Sequence, residues 1–261
     1  MAKIHPLACV DPSAEIAEDV EIGPFSYVEA NVSIGAGTRV ESHVAIKAYT
    51  SIGMRCYVAQ GAVLGGEPQD RKFHGEVSHL KLGDDNIVRE YVTIHRASGE
   101  GRSTIVGNDN FVMAYTHLGH NVTLGNNITI ANGVHLAGHS TIEDFAVLGG
   151  MTGFHQFVRV GKAAMVAAMS RISRDAPPFM LVEGDTEVLD INAVGLRRVG
   201  ITSEARMALH KACKLLFKSQ LGLTNAIEIV RREVPMTQEV KYLLQFEERR
   251  FQGKNGRGDQ P

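Results

Sequence analysis

The stretch VSIGAGTRVESHVAIKAYTSIG, residues 32–53, places an aliphatic residue at every sixth position. These residues are Ile34, Val40, Ile46 and Ile52, and the first and last are each followed by glycine. A helix repeats its buried face every 3.6 residues and a strand every 2, so neither element alone explains a period of six. A short strand followed by a tight turn, repeated along the chain, does explain it.

The six-residue period extends outward from this stretch over most of the chain. It begins at Ile4 and ends at Ile172, and only Asp70, Glu76 and Glu100 interrupt it. Eleven apolar positions in a row, from Ile4 to Leu64, have a chance of about one in 10,000 at the overall apolar content. Three units make a triangular coil, and roughly ten coils at a strand spacing of ~4.8 Å predict a prism about 45–50 Å long. The period does not fix the hand of the coil, and ordinary parallel crossovers are right-handed.

The interruptions of the period mark loops and the end of the repeat. Residues 66–81 and 97–104 are polar and contain glycine, so we expect them to project from the prism as loops, where binding groups usually lie. The segment DAPPF, residues 175–179, ends the repeat because its two prolines cannot donate to a strand ladder. The predicted prism with its loops therefore covers residues 1–184.

Apolar residues return at helical spacing after the repeat. We predict a helical domain over residues 185–252, with Ser203, Thr224 and Thr237 as helix N-caps. This domain is too small for a robust core of its own, so we expect it to pack on the prism or on a neighbouring subunit. The glycine-containing end, residues 253–261, is predicted to be a flexible tail.

Composition excludes several classes of protein. The net charge is −2, which argues against a nucleic-acid binder. Cys9, Cys56 and Cys213 are far apart and outside any CxxC pair, as expected for reduced cysteines in a cytoplasmic protein. Neither a signal peptide nor a membrane span is expected, because no sufficiently long apolar run occurs.

Histidines cluster where the repeat otherwise needs only small and aliphatic residues. The segment AYTHLGHNVTLG, residues 114–125, contains the first two of four histidines that fall between positions 117 and 139. Residues 18 apart stack in the predicted coil. The stacked pairs are His117 with His135, Asn121 with His139, and His120 with Gly138, and His155 follows one coil later.

Three interpretations of this cluster stay open on the residues alone. It could be a zinc site, since hexapeptide-repeat carbonic anhydrases bind zinc with three histidines across a subunit interface. It could supply a general base, because a neutral imidazole can accept a proton from a hydroxyl near neutral pH. It could also lie on a purely structural trimer that displays a binding face.

Longer motifs resemble the UDP-N-acetylglucosamine 3-O-acyltransferase family of lipid A biosynthesis. They are QDRKF (69–73), THLGHN (116–121), LAGHSTIEDFAVLGGMTGFHQFVRVG (136–161) and INAVGLRRVGI (191–201). The resemblance covers essentially the whole chain and implies a left-handed parallel β-helix of hexapeptide repeats followed by a small α-helical domain. It also implies a homotrimer, without metal or redox cofactor, that transfers a 3-hydroxyacyl group from acyl carrier protein to UDP-N-acetylglucosamine.

The resemblance assigns roles position by position. It makes His120 the general base and the Gly138 amide the oxyanion donor, and it places Ala168 at the end of the acyl groove as a chain-length ruler. The residues that it assigns to substrate binding are Gln69, Asp70, Lys72, His95, His117, His139, His155, Gln156, Asn192 and Arg198.

Two positions depart from the family pattern. Asn121 stands where the family commonly has an aspartate that stabilises the imidazolium, and Val194 stands where an acidic residue often occurs. The nearest rival is the related N-acyltransferase, which acts on a sugar amine and usually carries an extra N-terminal domain. Basic residues of the helical domain could steer the acidic carrier protein. They are Arg197, Arg198, Arg206, Lys211, Lys214 and Lys218.

Overall fold

The computed structural model describes residues 1–261 and shows three parallel sheets wound as successive turns of one coil. Each full turn contributes one strand to each sheet, so Ile4 pairs with Ile22 and Leu118 pairs with Leu136. The coil is a left-handed parallel β-helix. The predicted all-β repeat is therefore confirmed, and its six-residue period is the spacing between consecutive sheets.

The strands are mostly two residues long and divide among three sheets. Sheet A contains Lys3–Ile4, Glu21–Ile22, Arg39–Val40, Tyr57–Val58, Ile87–Val88, Phe111–Val112, Thr129–Ile130, Val147–Leu148, Met165–Val166, Met180–Glu183 and the antiparallel Glu187–Ile191. Sheet B contains Cys9–Val10, Tyr27–Val28, Ala45–Ile46, Val63–Gly66, Thr93–His95, His117–Leu118, His135–Leu136, Gly153–Phe154 and Arg171–Ile172. Sheet C contains Glu15–Ile16, Ser33–Ile34, Thr50–Ile52, His79–Leu82, Ser103–Val106, Thr123–Leu124, Thr141–Ile142 and Arg159–Val160.

Both predicted loops are insertions between sheets B and C. Leu64 pairs with Ile94 and Ile94 pairs with Leu118, so these two turns of the coil are longer than the others. The extra length is a multiple of six in each case, which explains why the apolar phase continues beyond the loops. All three interruptions of the period lie in these loops.

The apolar anchors form a single core along the prism axis. The core is open at the first coil, where Ile4 is 43% exposed, and closed from Ile22 onward, where the anchors are buried. Residues of the helical domain, including Leu209 and Leu243, belong to the same core cluster. The helical domain therefore packs on the last coils of the prism. This is one of the two arrangements predicted from sequence.

The helical domain begins later than predicted and contains four helices. They are α1 (Ala193–Arg198), α2 (Ser203–Cys213, continued by a π-helical turn over Lys214–Lys218), α3 (Leu223–Glu233) and α4 (Gln238–Gln252). Thr237 caps α4 as predicted, but Thr202 caps α2 in place of Ser203, and Gly222 precedes α3 without a side-chain cap. Residues 187–191 form a hairpin strand instead of helix. None of the helices combines the length and apolarity that crossing a membrane requires.

The final residues contact the last coil, which the composition of the tail does not predict. The Arg257 guanidinium donates to the Ser173 carbonyl at 2.7 Å, and the Gly258 N–H donates to the buried carboxylate of Asp175 at 2.8 Å. Asp259 lies 3.9 Å from the buried Arg159 guanidinium. These partners are distant in sequence, so local composition could not reveal them.

Candidate active site

A cavity of about 470 Å³ lies along sheet B and the corner that leads to sheet C. Its wall is built from successive coils, because residues 18 apart in sheet B stack on one another. Seven of the predicted site residues line it: Gln69, His95, His117, His120, Gly138, His155 and Gln156. The 18-residue stacking brings together His117, His120, Gly138 and His155, and the family resemblance adds Gln69, His95 and Gln156.

His120 occupies the B-to-C corner at the centre of this wall and is only 8% exposed. Its Nδ1 lies 2.8 Å from the Asn121 side-chain oxygen. The opposite edge of the ring faces Gly138, where an added Cβ would lie 2.7 Å from both Cε1 and Nε2. Glycine at 138 thus leaves the space that the imidazole fills.

The Gly138 amide is available to a ligand. Its N–H donates no hydrogen bond within the chain, whereas the neighbouring His139 N–H donates to the His120 carbonyl at 3.0 Å. A free backbone N–H beside an imidazole nitrogen can stabilise negative charge on an oxygen that the imidazole has helped to form.

Burial favours the neutral form of three histidines around His120. His117 packs edge-on against His95 at 5.0 Å, and its Nδ1 lies 2.8 Å from the Thr93 hydroxyl. Burial and the neighbouring histidines lower the pKa of His117 to about 4. Burial also lowers the pKa of His95 and of His139, whose ring stacks on Phe157 at 4.6 Å. Neutral imidazoles around His120 can accept or donate hydrogen bonds to a polar substrate.

The two loops meet above His120 and hold Asp70 at the rim of the cavity. The Asp70 carboxylate accepts hydrogen bonds from the Lys72 N–H at 3.0 Å and the Ser98 hydroxyl at 2.9 Å. These two hydrogen bonds lower the pKa of Asp70, so it is an anion at neutral pH. Lys72 is exposed beside it. The loops also bind each other, because the Gly99 N–H donates to Glu76 at 2.8 Å.

Six of the predicted residues do not line this cavity: Asp70 and Lys72 at its rim, His139 beside Gly138, and Asn192, Arg198 and Ala168 on other parts of the chain. Asn192 caps α1 through its oxygen and donates to the Ala163 carbonyl at 3.0 Å, and Arg198 is exposed at the end of α1. Ala168 is exposed at the corner between sheets A and B. The binding roles of Asn192, Arg198 and Ala168 remain predictions, because within one chain these residues do not lie in the cavity of His120.

Arg171 and Ser98 are among the residues at the site that were not predicted. Arg171 lines the cavity and continues the column of His117, His135 and Gly153, so the 18-residue spacing could have revealed it. Ser98 contacts both Asp70 and Asn121, but no sequence signal marks it because its position depends on how the second loop folds. No group of three or more His, Cys, Asp or Glu side chains in the chain is placed to hold a metal ion.

A three-sided β-helix of hexapeptide repeats is the architecture of hexapeptide-repeat transferases, and family models assign this chain to that class. The family model for bacterial transferase hexapeptides (six repeats) matches residues 13–48 and 103–138. The family model for domain 2 of UDP-N-acetylglucosamine O-acyltransferase matches residues 175–258, which covers the helical domain and the tail.

Comparison with individual proteins narrows the class to one family. The chain is 43% identical to the acyl-[acyl-carrier-protein]–UDP-N-acetylglucosamine O-acyltransferase of Thermodesulfovibrio yellowstonii, covering 97% of this chain and 99% of that one. Identity to the protein of the same name from Alkalilimnicola ehrlichii is 44%, covering 94% and 96%. The crystal structure of the UDP-N-acetylglucosamine acyltransferase from Bacteroides fragilis superposes with a TM-score of 0.91 at 37% identity, covering 94% and 96%. The chain belongs to the UDP-N-acetylglucosamine O-acyltransferase family and is an acyltransferase.

Proposed function

We propose that this enzyme transfers an (R)-3-hydroxyacyl group from acyl carrier protein to the 3-hydroxyl of UDP-N-acetylglucosamine, the first step of lipid A biosynthesis, with His120 as general base. The relatives carry acyl-carrier-protein and UDP-N-acetylglucosamine in their names. The observation that carries the proposal is the placement of the His120 Nε2 edge beside the free Gly138 amide, inside a cavity that other histidines line.

The reaction follows from this geometry. Nε2 of His120 takes the proton of the sugar 3-hydroxyl as its oxygen attacks the thioester carbonyl. The carbonyl oxygen becomes an oxyanion, to which the Gly138 N–H donates. Collapse of the tetrahedral intermediate breaks the carbon–sulfur bond, and the leaving thiolate takes the proton back from the imidazolium. No net proton or electron is gained or lost.

Substrate-binding roles follow the charges around the cavity. We assign Asp70, with Gln69 beside it and His139 on the adjacent corner, to the sugar hydroxyls, because an ionised carboxylate accepts hydrogen bonds from them. Lys72 is assigned to the diphosphate. His95, His117, His155 and Gln156 line the remaining wall. Ala168, outside this cavity, is assigned to limit the length of the acyl chain.

We further propose a homotrimer in the cytoplasm. Large apolar side chains stand exposed along the corner between sheets A and B, among them Phe25, Tyr115, Met151 and Met169. His43, Gly61 and Gly133 interrupt this row. Exposed apolar side chains concentrated on one corner are typical of a surface that a partner covers. In a trimer, Asn192 and Arg198 of a neighbouring subunit would also complete the cavity, which one chain leaves open. The three cysteines are unpaired, which suits a reducing compartment.

The carrier protein is proposed to dock on basic residues of α1 and α2. Arg197, Arg198 and Lys214 are exposed and take part in no ion pair within the chain. Three other basic residues of this surface already contact the protein: Arg206 binds the Ile201 carbonyl, Lys211 the Glu233 carbonyl and Lys218 the Glu187 carboxylate. Arg197, Arg198 and Lys214 are therefore free to pair with acidic residues of the carrier protein.

Replacing His120 by alanine tests the proposed base. The rate should fall by roughly 10²–10⁴ with the oligomer intact, the range expected for loss of a general base. His5→Ala is the matched control, because His5 is exposed on the first coil, far along the chain from the cavity. Near-normal turnover of the His120→Ala enzyme would refute the mechanism.

The identity of the acceptor needs a separate test. Purified enzyme is given acyl carrier protein loaded with a 3-hydroxyacyl chain and either UDP-N-acetylglucosamine or its 3-amino analogue. The mass spectrum of each product shows whether an ester or an amide forms. Ester formation at the greater kcat/KM supports the O-acyltransfer proposed here, and exclusive amide formation would replace it with N-acyltransfer.

A further inference from the structure

Asn121 makes three hydrogen bonds through one carboxamide. Its oxygen accepts from the Ser98 N–H at 3.0 Å and lies 2.8 Å from the His120 Nδ1. Its NH2 group donates to the Ser98 carbonyl at 3.1 Å. The second loop therefore binds the residue next to the proposed base through backbone groups at a single position.

This double contact settles which end of the carboxamide faces His120. A carboxylate accepts through either oxygen, so an aspartate could not present the wrong end. A carboxamide has a donor end and an acceptor end. Its oxygen pairs with a protonated imidazole nitrogen, whereas its NH2 group pairs with an unprotonated one. A reversed Asn121 would set its NH2 against the Ser98 N–H and its oxygen against the Ser98 carbonyl, losing both hydrogen bonds.

The orientation of Asn121 in turn decides the tautomer of His120. An oxygen at 2.8 Å from Nδ1 requires Nδ1 to carry the proton, which leaves a lone pair on Nε2. The reversed carboxamide would donate to Nδ1 and move the proton to Nε2. An imidazole protonated at Nε2 has no lone pair there and could not accept a proton from a substrate.

The backbone around Asn121 supports the same placement. Asn121 has φ +59, in the left-handed region that asparagine and glycine adopt more readily than most residues. Its N–H donates to the Thr104 hydroxyl at 2.9 Å, at the far end of the second loop. The Ser98 hydroxyl donates to Asp70, so one residue joins the first loop, the second loop and the corner that carries His120.

We propose that Ser98 is a positioning residue for the reaction: its backbone N–H and carbonyl orient the Asn121 carboxamide, which holds the proton of His120 on Nδ1 and keeps Nε2 as the proton acceptor. The role in catalysis rests on the proposed function of His120. The tautomer itself does not, because it is a property of the resting enzyme.

The tautomer can be measured directly by nitrogen NMR of the trimeric enzyme labelled with 15N-histidine. The His120 signals are assigned as those lost in the His120→Gln spectrum among the 11 histidines. The wild-type enzyme above pH 7 should show Nδ1 protonated and Nε2 bare. A spectrum with Nε2 protonated would overturn the proposal, whatever the kinetics show.

Variants at 98 separate the backbone role from the hydroxyl. Ser98→Pro removes the N–H that orients Asn121, so His120 should shift toward the Nε2-protonated tautomer. Its kcat should fall at least about tenfold, toward the ~10⁴-fold cost of a histidine left in the wrong tautomer. Ser98→Ala keeps both backbone groups and should keep the tautomer and kcat, while the KM for the nucleotide sugar rises because Asp70 loses its hydroxyl partner. Ser98→Thr should restore that KM. An unchanged tautomer in Ser98→Pro would refute the role of Ser98.

Variants at 121 keep the test decisive if the proline variant fails to fold. Asn121→Gly suits the positive φ, removes the carboxamide and should shift the tautomer as Ser98→Pro does. Asn121→Asp is the comparison variant, because a carboxylate still accepts from Nδ1 and should hold the tautomer while losing the hydrogen bond to the Ser98 carbonyl. It should also move the acidic limb of the pH–rate profile to higher pH, since a carboxylate favours imidazolium. If Asn121→Gly keeps the wild-type tautomer, the proposal is wrong.

Discussion

Replacing Gly138 by alanine should lower kcat about 10- to 100-fold by displacing His120. The added Cβ would stand 2.7 Å from both Cε1 and Nε2 of the imidazole, about 0.7 Å short of the 3.4 Å at which ordinary contact begins. A ring displaced by this contact would also disturb its Nδ1, which lies 2.8 Å from the Asn121 oxygen. A misplacement of ~1 Å can cost ~10²-fold in rate. A ring shift of ~0.7 Å should therefore lower kcat about 10- to 100-fold, which corresponds to roughly 1.4–2.7 kcal/mol of activation free energy.

The experiment is a double-mutant cycle measured as single-turnover rates with saturating sugar nucleotide. Alanine retains its backbone N–H, so the variant tests the position of the base and leaves the proposed oxyanion donor in place. If Cβ acts only through the ring, adding Gly138→Ala to the His120→Ala enzyme should cost little further rate. Gly222→Ala is the control, since a Cβ there meets nothing within 4 Å.

Two results would refute the reasoning. Wild-type kcat in Gly138→Ala would mean that the position of the ring does not limit the reaction. Fully additive losses in the double variant would mean that residue 138 acts independently of the imidazole. A thermal unfolding midpoint within a few degrees of the wild type is required in each case, so that misfolding is excluded.

Three further predictions concern chain length, pH and metal. Ala168→Gly should shift the preference toward longer 3-hydroxyacyl chains and Ala168→Met toward shorter ones, each by roughly tenfold. Because Ala168 is exposed in the chain, the free energy of unfolding should change by less than ~0.5 kcal/mol. Selectivity is measured by competition between donors of different chain length, and an unchanged chain-length profile would contradict the role of Ala168. Burial lowers the pKa of His117 from 6.5 to about 4. As the solution is acidified, the unfolded chain therefore protonates His117 before the folded chain does. The folded state loses the corresponding stability as the pH falls from 6.5 toward 4, and keeps it above pH 6.5. The unfolding midpoint of His117→Gln should accordingly fall less over that interval than that of the wild type, and parallel curves would exclude this linkage. Purified enzyme should contain no stoichiometric zinc and should keep its activity in chelator, whereas one zinc per subunit with chelator-sensitive activity would favour a metal-dependent mechanism.

The architecture was determined by the sequence because its signal is periodic and local. One aliphatic residue in six specifies which side chain points inward on every face, so Val40, Ile46 and Ile52, one from each sheet, all reach the same core. The regular coil then places residues of distant number in register, which is why the period alone was enough to gather His117, His120 and Gly138 into one site. The motifs around them were sufficient to indicate the family.

The tertiary structure decided what the period does not encode. The two loops have no repeat, and only their fold brings Ser98 to Asp70 and Asn121. The composition of the tail predicts flexibility, yet its residues 257 and 258 find partners at positions 173 and 175, far back along the chain. Helix starts shifted because caps depend on which backbone N–H groups remain unpaired after packing, and residues 187–191 became a strand because Met180–Glu183 offered a free edge. Periodicity specifies which residues face the core, but contacts between non-repeating segments exist only once the chain has folded.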